Sequence, residues 1–431
     1  MEDFGSVLIA GTGPTAVQLA LLFTRLENQV GIAGRPSARS AEFFDRLQAS
    51  AGQVEVEVHN EQHRALAGTG RLSFWYTNYA HVRGRWDTLV LTVTADAYLS
   101  VLRSLPPSLH TSLQRIVLLS PTLGSSALVR NYTRDWPAAP EVVSLSSYFG
   151  DTRWSQGTIG ERVLTAGVKR RVYAGSSAGS SSSLQVLSKL HAGVGVELEA
   201  VEHPLAAETR NMSLYVHSSL FMNEFALQAV FDPAATKSYV YKLYPEGPIT
   251  PELIRTMLAH WRELSSITEH LGGSPVNLLD FMLSDGYPVR PESINPVDAA
   301  RFESLSSSEQ EYLLYVRYAS LLIDPYSTPD DQGRYFDFSA IAFRPIFRTQ
   351  AGVWDIPRMP KEDYYRTKII QGLAQQLQVP CPMIDALLNT YERYLTQSAE
   401  ALAPEPCSEA FTVQDFSDDV QLICAATVGV K

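Results

Sequence analysis

The sequence predicts an α/β protein with an N-terminal Rossmann-type parallel sheet domain over residues 1–200 and a mostly α-helical C-terminal substrate domain over residues 201–431. In the first part, short β-branched runs alternate with helical patterns, which is typical of a parallel sheet covered on both faces. A Gly-x-Gly turn follows the first of these runs, as in folds that bind dinucleotides. Further along the chain the pattern changes to long helical stretches separated by Pro and Gly.

The strands of the first domain are predicted from short apolar runs of suitable length. In chain order they read SVLIA, QVGIA, VEVEV, TLVLTV, RIVLLS, EVVSLSS and RRVYAGSS. The segment from Thr15 to Leu26 has the apolar spacing of a helix packed on a sheet. The segment SSSLQVLSKLHAG predicts a further helix, and its leading serines supply an N-cap.

The second domain is predicted to be mostly helical because apolar residues recur there at helical spacing over long segments. The helical stretches are NMSLYVHSSLFMNEFALQAVF, TPELIRTMLAHWRELSSITEHL, SSSEQEYLLYVRYASLLI, and DYYRTKIIQGLAQQLQ through TYERYLTQSAEAL. Clusters of Pro and Gly, such as PEGPITP and DPYSTPDDQG, mark the turns that separate them.

Composition and charge exclude several classes of function. The chain is 45% hydrophobic and 19% charged, as expected for a globular protein with a full core. Its formal net charge of -11 argues against nucleic acid or an anionic membrane surface as the main partner, because both favour a basic face. Three cysteines without metal-ligand spacing, an acidic start and no membrane-length apolar run predict a cytoplasmic protein.

A glycine turn after the first strand predicts a dinucleotide site. Gly11, Gly13 and Ala16 match Gly-x-Gly-x-x-Gly/Ala, in which the glycines permit a tight turn and close approach of a pyrophosphate. Pro14 and Thr15 complete the turn, and the following helix offers unpaired N–H groups to phosphate. Alone, the motif also fits a turn that binds nothing. Its place between a strand and a helix favours the cofactor.

The loop after the second strand carries arginine where an NAD-binding protein would have Asp or Glu. It reads GRPSARS and contains Arg35, Ser37 and Arg39. Arginine can pair with a 2′-phosphate and stack on adenine, and serine can add neutral donors. The loop therefore predicts NADP(H), although solvated loop charges remain an alternative. Thr94, after the TLVLTV strand, is placed as a neighbour of the nicotinamide-side ribose.

Of the nine histidines, His217 stands out because it lies in the otherwise apolar stretch SLYVHSSLFMNEFAL. A partly buried imidazole is suited to pass a proton when hydride leaves a nicotinamide. A lone histidine on an apolar face is more often a satisfied core residue, so spacing alone leaves both roles open. Asn223, further along the same stretch, is a candidate substrate-binding residue.

Two further segments have a residue composition that is unusual for a purely structural role. SSYFGDTRW, at residues 146–154, contains Asp151 and Arg153 at the end of the sixth predicted strand. SYVYKLYPEGPITP, at residues 238–251, contains Tyr241 and Lys242. Either segment could be a surface turn. Together with the histidine, they suit a polar, zwitterionic substrate that carries several carboxylates and amines.

Over nearly its whole length the chain resembles the opine metallophore dehydrogenases. The resemblance rests on GTGPTA, GRPSARS, SSYFGDTR, LYVHSSLFMNEFAL and YVYKLYPEGPIT. It implies a homodimeric enzyme that condenses a 2-oxo acid reductively with the primary amine of a histidine-aminobutyrate conjugate, through an imine, using NADPH. It also implies a partner synthase that transfers the aminobutyrate group. The enzyme itself needs no metal, whereas its product chelates one.

The resemblance also implies roles for individual residues. Arg35 matches the 2′-phosphate contact, and His217 matches the acid/base histidine. Asp151 matches a position that varies between Asp and Ala with the oxo acid used, and a carboxylate there would repel 2-oxoglutarate and favour pyruvate. Ala41 stands close to where the family can have a basic residue, a loss for which Arg39 can compensate.

Three alternatives stay open at this point. The chain could use 2-oxoglutarate in place of pyruvate. It could be an NADPH-dependent 2-oxo acid reductase of the ketopantoate or glycerol-3-phosphate type, which needs no amine. It could also be a non-catalytic NADPH-binding regulator, in which His217 is a core residue.

Overall fold

The computed structural model describes residues 4–26, 28–284, 289, 292–320 and 341–427. These residues form two compact units. Unit 1 comprises the described residues up to Asn211 and from Leu422 onward, and unit 2 comprises Met212–Gln421. Residues 321–323 of one predicted helix and the turn DPYSTPDDQG lie outside the described residues.

The predicted domain boundary falls inside a strand. Residues Glu197–Val201 pair in register with Arg171–Ser176, both within unit 1. The division between the units lies after Asn211, later than the predicted boundary after residue 200.

The strands and helices are numbered in chain order. The strands are β1 Val7–Ala10, β2 Val30–Ala33, β3 Gln53–Val58, β4 Gly68–Arg71, β5 Phe74–Tyr76, β6 Thr88–Leu91, β7 Arg115–Leu118, β8 Glu141–Leu145, β9 Gly150–Trp154, β10 Arg162–Val168, β11 Arg171–Ser176, β12 Glu197–Val201, β13 Phe347–Arg348 and β14 Trp354–Asp355. The helices are α1 Pro14–Arg25, α2 Ala38–Ala49, α3 Tyr98–Ser104, α4 Ser125–Thr133, α5 Ser182–Ala192, α6 Pro204–Glu208, α7 Met212–Phe221, α8 Glu224–Phe231, α9 Pro251–His270, α10 Leu278–Ser284, α11 Pro296–Ala300, α12 Ser307–Ala319, α13 Arg358–Leu377, α14 Pro382–Leu402 and α15 Ser417–Thr427.

Unit 1 is built on an eight-stranded sheet in the order β12-β11-β8-β7-β6-β1-β2-β5. The neighbours from β8 to β5 are parallel, whereas β11 runs antiparallel to β8. Every residue of β1, β2 and β6 is buried, as expected for apolar runs with helices on both faces. The α/β fold class with a Rossmann-type sheet is therefore confirmed.

The VEVEV run does not belong to this sheet, so that part of the prediction is wrong. It forms β3 in a second sheet with the order β4-β3-β10-β9. Val54 and Val56 are buried, whereas Glu55 and Glu57 are partly exposed. This alternation is typical of a strand with a single buried face. The place beside β2 in the large sheet is taken by β5, which the sequence did not predict.

Unit 2 is mostly helical, and α7 lies in its middle, packed against α9 and α13. The long stretch predicted as one helix is broken into α7 and α8. Asn223 interrupts it because its side chain accepts a hydrogen bond from the N–H of Ala226, which caps α8. In the part of the chain that the structure describes, no helix has the length and hydropathy needed to cross a membrane.

Candidate active site

The chain enters α1 through a glycine turn at the carboxyl end of β1. Gly11 has φ +131°, and a Cβ at this position would lie 2.3 Å from Oγ1 of Thr92. Both the conformation and the close approach therefore require glycine. Gly13 is the N-cap of α1 and makes no side-chain cap, and no described atom lies within 4 Å of where its Cβ would stand. This leaves room for a pyrophosphate at the helix end.

The first turn of α1 completes the motif. Pro14 occupies the first helical position, where its missing N–H costs nothing. Thr15 is half-buried, whereas Ala16 is fully buried, so its small side chain lets α1 approach the sheet closely. Open space at the N-cap, an uncapped helix N-terminus and close helix packing together fit a bound dinucleotide.

The loop after β2 lies against the glycine turn. A Cβ on Gly34 would approach Cγ2 of Thr12 to 2.6 Å, so the two loops adjoin. The exposed Arg35 comes next and lies close to Tyr79. Burial raises the pKa of Tyr79 to about 12, and the positive charge of Arg35 opposes that rise. A cation thus stands where the sequence predicts a 2′-phosphate contact.

Ser37 has a structural task in the same loop. Its Oγ accepts a hydrogen bond from the N–H of Ser40 at 3.1 Å and donates to Oγ of Ser40 at 3.0 Å, which caps α2. The predicted neutral donor to phosphate is therefore already used within the loop. Arg39 lies exposed in the first turn of α2, a turn without acidic residues. It adds positive potential to the helix N-terminus.

Thr94 lies at the same edge of the large sheet as the glycine turn. The N–H of Thr92, just beyond β6, donates to the carbonyl oxygen of Ala10 at 3.0 Å, so the loop after β6 is tied to the end of β1. Thr94 precedes a short 3₁₀ turn and makes no side-chain cap hydrogen bond to it. Its placement at the carboxyl ends of parallel strands is where α/β sheets bind ligands.

A buried carboxylate, missed in the sequence, anchors the neighbouring loop between β7 and α4. Glu208 accepts hydrogen bonds from the N–H groups of Gly124 at 2.9 Å and Ser126 at 2.7 Å, and from the hydroxyl of Ser144 at 2.9 Å. Burial raises the pKa of Glu208 to about 7, although these donors oppose the rise. A carboxylate at the start of α4 also interacts favourably with the helix dipole.

Glu208 gives the folded state a specific pH dependence. Because its folded pKa is raised, it contributes stability that is lost as pH rises from about 4.5 to about 7, by at most roughly 3 kcal/mol. Glu208→Gln removes this titration. The free energy of unfolding in urea of the wild type, taken relative to that of Glu208→Gln, is expected to fall as pH rises from 5 to 8. A value of this relative stability that stays constant from pH 5 to pH 8 would show that Glu208 is ionised throughout the range.

Asp151 and Arg153 lie on β9, an edge strand of the small sheet, and not at the end of β8 as predicted. Their side chains share the outer face and form an ion pair with an N···O distance of 3.1 Å. They are 53% and 50% exposed, respectively. The opposite face of β9 is turned inward, where Trp154 packs against Phe43. The ion pair therefore lies on the exposed face of a strand whose opposite face is packed.

His217 lies on α7 with its ring 19% exposed. Its Nδ1 is 3.2 Å from Oδ1 of Asp363, a fully buried carboxylate on α13. Its Nε2 is 3.4 Å from Oγ of Ser213, one turn earlier on α7. The histidine that the sequence singled out is thus paired with a carboxylate that the sequence did not.

The pKa of Asp363 is held low despite its burial. Burial alone would raise its pKa, but the charge and hydrogen bond of His217, together with the charge of Arg366, outweigh that effect and hold the pKa of Asp363 below its usual value. Arg366 donates to the same oxygen, Oδ1, and also donates to Glu362 at 3.1 Å. A buried carboxylate with these partners fixes the orientation of the imidazole ring.

The three other predicted substrate residues lie in unit 2. Nδ2 of Asn223 donates to the carbonyl oxygens of Ser219 at 2.8 Å and Leu220 at 3.1 Å, so both of its donor hydrogens are used in joining α7 to α8. Tyr241 and Lys242 are partly buried in a compact loop, where Nζ of Lys242 lies 3.9 Å from a carboxylate oxygen of Glu246. Among the described residues, no group of three or more His, Cys, Asp and Glu could hold a metal ion.

The profile of one protein family, described as staphylopine dehydrogenase, matches residues 5–427. The chain belongs to this family. It is 41% identical over 420 residues to staphylopine synthase of Staphylococcus aureus, covering 97% of both chains. It is 39% identical over 409 residues to pseudopaline synthase of Pseudomonas aeruginosa, covering 94% of this chain and 93% of that one.

A solved structure supports the same assignment. Yersinopine dehydrogenase with bound NADP+ aligns with a TM-score of 0.92 and 27% identity, covering 100% of both chains. The staphylopine dehydrogenase family consists of oxidoreductases, and this member is an NADP-dependent enzyme of the opine dehydrogenase class, which acts on CH–NH bonds. The predicted family resemblance and enzyme class are confirmed, and the interpretation as a non-catalytic regulator is set aside.

Proposed function

We propose that this chain is an opine metallophore synthase that condenses a 2-oxo acid, preferably pyruvate, with the primary amine of a histidine-aminobutyrate conjugate. The observation that carries the proposal is the hydrogen bond from His217 to the buried carboxylate of Asp363, because it provides an oriented proton donor with one exposed edge. The similarity to staphylopine and pseudopaline synthases supports the class of substrate.

The cofactor is NADP(H), held by residues of unit 1. In the proposed arrangement the pyrophosphate lies at the N-terminus of α1 beside Gly11 and Gly13, and Arg35 pairs with the 2′-phosphate. Bound NADPH supplies the hydride that reduces the imine carbon. The NADP+ in the yersinopine dehydrogenase structure supports this choice.

The proposed reaction joins the two substrates with loss of water. The amine nitrogen adds to the oxo carbon, and the resulting carbinolamine loses its hydroxyl group as water to give an imine. Addition of hydride to the imine carbon and of a proton to nitrogen gives a secondary amine. One oxo acid, one amine, one NADPH and one proton thus give one product, one water and one NADP+.

His217 is the proposed acid in this sequence. Hydroxide is a poor leaving group, so the carbinolamine needs a proton at its hydroxyl oxygen before the carbon–oxygen bond breaks. With Nδ1 bonded to Asp363, the ring presents Nε2, near Oγ of Ser213, to the substrate. The negative charge of Asp363 also stabilises the protonated ring until the proton is transferred.

The preference for pyruvate is proposed from the ion pair on β9. Asp151 holds the guanidinium of Arg153 at 3.1 Å, so the positive charge that could bind a second carboxylate is already paired. The carboxylate of Asp151 also repels the distal carboxylate of 2-oxoglutarate. Pyruvate lacks that group and is affected by neither interaction.

Asp151→Ala is expected to raise kcat/KM for 2-oxoglutarate by about tenfold or more, because it frees Arg153 and removes the repulsion. The value for pyruvate should change by less. The measurement is steady-state NADPH oxidation with each oxo acid and saturating amine. Glu199→Ala, an exposed carboxylate on β12 that also pairs with an arginine, is the matched control. An unchanged ratio of the two oxo acids would contradict the role of Asp151.

Three further features are proposed, the first two from the family resemblance and the last from the composition of the chain. They are a partner synthase that transfers the aminobutyrate group, a homodimer, and a cytoplasmic location. The synthase names of the relatives support a place in a biosynthetic sequence. Free rather than disulfide-bonded Cys381, Cys407 and Cys424 fit a reducing compartment.

The proposed reaction is tested directly by its product. Incubation with NADPH, pyruvate and the conjugate is expected to yield a compound with the summed mass of the two substrates, less one water and plus two hydrogens. With deuteride-labelled NADPH the product should gain one mass unit at the new carbon–hydrogen bond. Formation of lactate in place of this product would contradict the proposal and identify a simple oxo acid reductase.

A further inference from the structure

A chain of hydrogen bonds, buried at one end and partly buried at the other, runs from α1 to β9 within unit 1. Oγ1 of Thr165, on β10, donates to Oε1 of Gln18 at 2.8 Å, and lies 2.8 Å from Oγ1 of Thr152. Thr152 lies in turn 2.7 Å from the hydroxyl of Tyr148. Gln18 and Thr165 are fully buried. Gln18 is a polar residue in the middle of an otherwise apolar helix face, and cofactor binding at the N-terminus of α1 does not explain it.

The donor and acceptor of each hydrogen bond in this series follow from the amide of Gln18 at its end. Nε2 of Gln18 donates to the carbonyl oxygen of Leu66 at 3.4 Å, so Oε1 can only accept. Thr165 has a single hydroxyl hydrogen, which it gives to Gln18, and it must therefore accept from Thr152. Thr152 accepts from Tyr148 for the same reason. Burial raises the pKa of Tyr148, so its phenol keeps the proton that the chain needs.

This series of hydrogen bonds ends beside an irregularity in the small sheet. Thr165 and Thr152 are directly opposite each other on β10 and β9, but the next pair is Gly167 with Asp151. One extra residue, Ala166, is therefore inserted on β10 opposite the start of β9. Such bulges bend a strand and redirect a neighbouring side chain. The last regular pair before the bulge is the pair whose hydroxyl groups belong to the chain.

We propose that Gln18, Thr165, Thr152 and Tyr148 are positioning residues that fix the register of β9 at the bulge and so aim Asp151 at the oxo acid. This inference rests on the proposed function of Asp151. None of the four residues needs to contact substrate. Tyr148 extends the same support to the loop before β9, because its N–H donates to Oγ of Ser120 at 3.1 Å, just beyond the end of β7.

A weakly held bulge would move Asp151 rather than unfold the sheet. An edge strand is paired on a single side, and β9 pairs only with β10 in its sheet, as far as the described residues go. A shift by one residue would turn Asp151 and Arg153 to the inner face. The hydroxyl chain opposes this shift, because the fully buried Gln18 and Thr165 would be left without hydrogen-bond partners.

The test is Thr165→Val, which keeps the shape of the side chain and removes the middle link. The ratio of kcat/KM for pyruvate to kcat/KM for 2-oxoglutarate is expected to fall by roughly tenfold, while KM for NADPH stays within about twofold. Thr165→Ser retains the hydroxyl and should restore the ratio. Thr133→Val is the matched control, since Thr133 is also buried in unit 1 and its hydroxyl donates to a carbonyl oxygen of its own helix, α4.

A second comparison separates positioning from a general loss of stability. In an Asp151→Ala background, Thr165→Val should have no further effect on the ratio, because its influence passes through Asp151. Tyr148→Phe, which removes one hydroxyl at the end of the chain, serves if Thr165→Val does not fold. A ratio that stays at the wild-type value in Thr165→Val, while Asp151→Ala changes it, would overturn this inference and leave the proposed function intact. If Asp151→Ala itself leaves the ratio unchanged, the proposed specificity fails first.

Discussion

His217→Asn is expected to lower kcat by about 10²- to 10⁴-fold, the usual contribution of a positioned general acid. Asparagine keeps the polarity and approximate size of the side chain but cannot deliver a proton. KM for NADPH should change little, since the residues proposed to hold the cofactor belong to unit 1. The measurement is steady-state NADPH oxidation with saturating oxo acid and amine. His270→Asn, an exposed histidine at the end of α9, is the matched control.

Asp363 should act through His217. Asp363→Asn is expected to lower kcat by about tenfold or more, because the ring loses the charge that orients and stabilises it. The double variant with His217→Asn should be no slower than His217→Asn alone, since residues that act as one unit are not additive. If the two substitutions lower kcat independently, so that their effects multiply in the double variant, Asp363 has a role separate from His217. Unchanged turnover in His217→Asn would remove the acid role altogether.

Arg35→Ala is expected to raise KM for NADPH by about 10- to 100-fold, because a charge-assisted hydrogen bond to the 2′-phosphate is lost. KM for NADH, which has no such phosphate, should stay within about twofold. Arg39→Ala should have a smaller effect in the same direction, because Arg39 lies in the first turn of α2 rather than in the loop beside Tyr79.

The control for both variants is Arg71→Ala, an exposed arginine on β4 of the same unit. If Arg35→Ala weakens the binding of NADPH and NADH equally, Arg35 contributes only general positive potential and does not distinguish the cofactor with the 2′-phosphate from the one without it. Fluorescence titration of each cofactor without substrates gives the same comparison as dissociation constants, free of any effect on turnover.

The glycine turn and the loop after β2 could be predicted from the sequence because their determinants are local. A tight turn, a small packing residue and a loop arginine are all encoded within residues 6–40, and the turn conformation of Gly11 follows directly from its neighbours. The serine that caps α2 shows the limit of this reasoning. Serine can donate a hydrogen bond to phosphate, but the hydroxyl group of Ser37 instead caps the N-terminus of α2.

The carboxylate partner of His217 could not be predicted in the same way. Asp363 is 146 positions away along the chain, and only the packing of α13 against α7 brings the two together. A weaker signal was present in the sequence. Asp363 shares one face of α13 with the buried Thr367, Ile370 and Ala374, and a carboxylate on an apolar helix face needs a partner.

The small sheet is the other part of the fold that could not be predicted from the sequence. The alternation in VEVEV marks a strand with one buried face, but it does not say which strands lie beside it. The neighbours of β3 are β4 and β10, of which β10 lies about a hundred residues away. Asp151 and Arg153 therefore could be recognised as unusual but could not be placed on an edge strand.

In the proposed function, reduction requires both an oxo acid and an amine. This requirement is tested most directly by following NADPH oxidation with pyruvate, with and without the histidine-aminobutyrate conjugate. Turnover is expected only when both are present, with pyruvate preferred to 2-oxoglutarate, and it should be lost in His217→Asn. Equal turnover with pyruvate alone would contradict this requirement and indicate a simple oxo acid reductase.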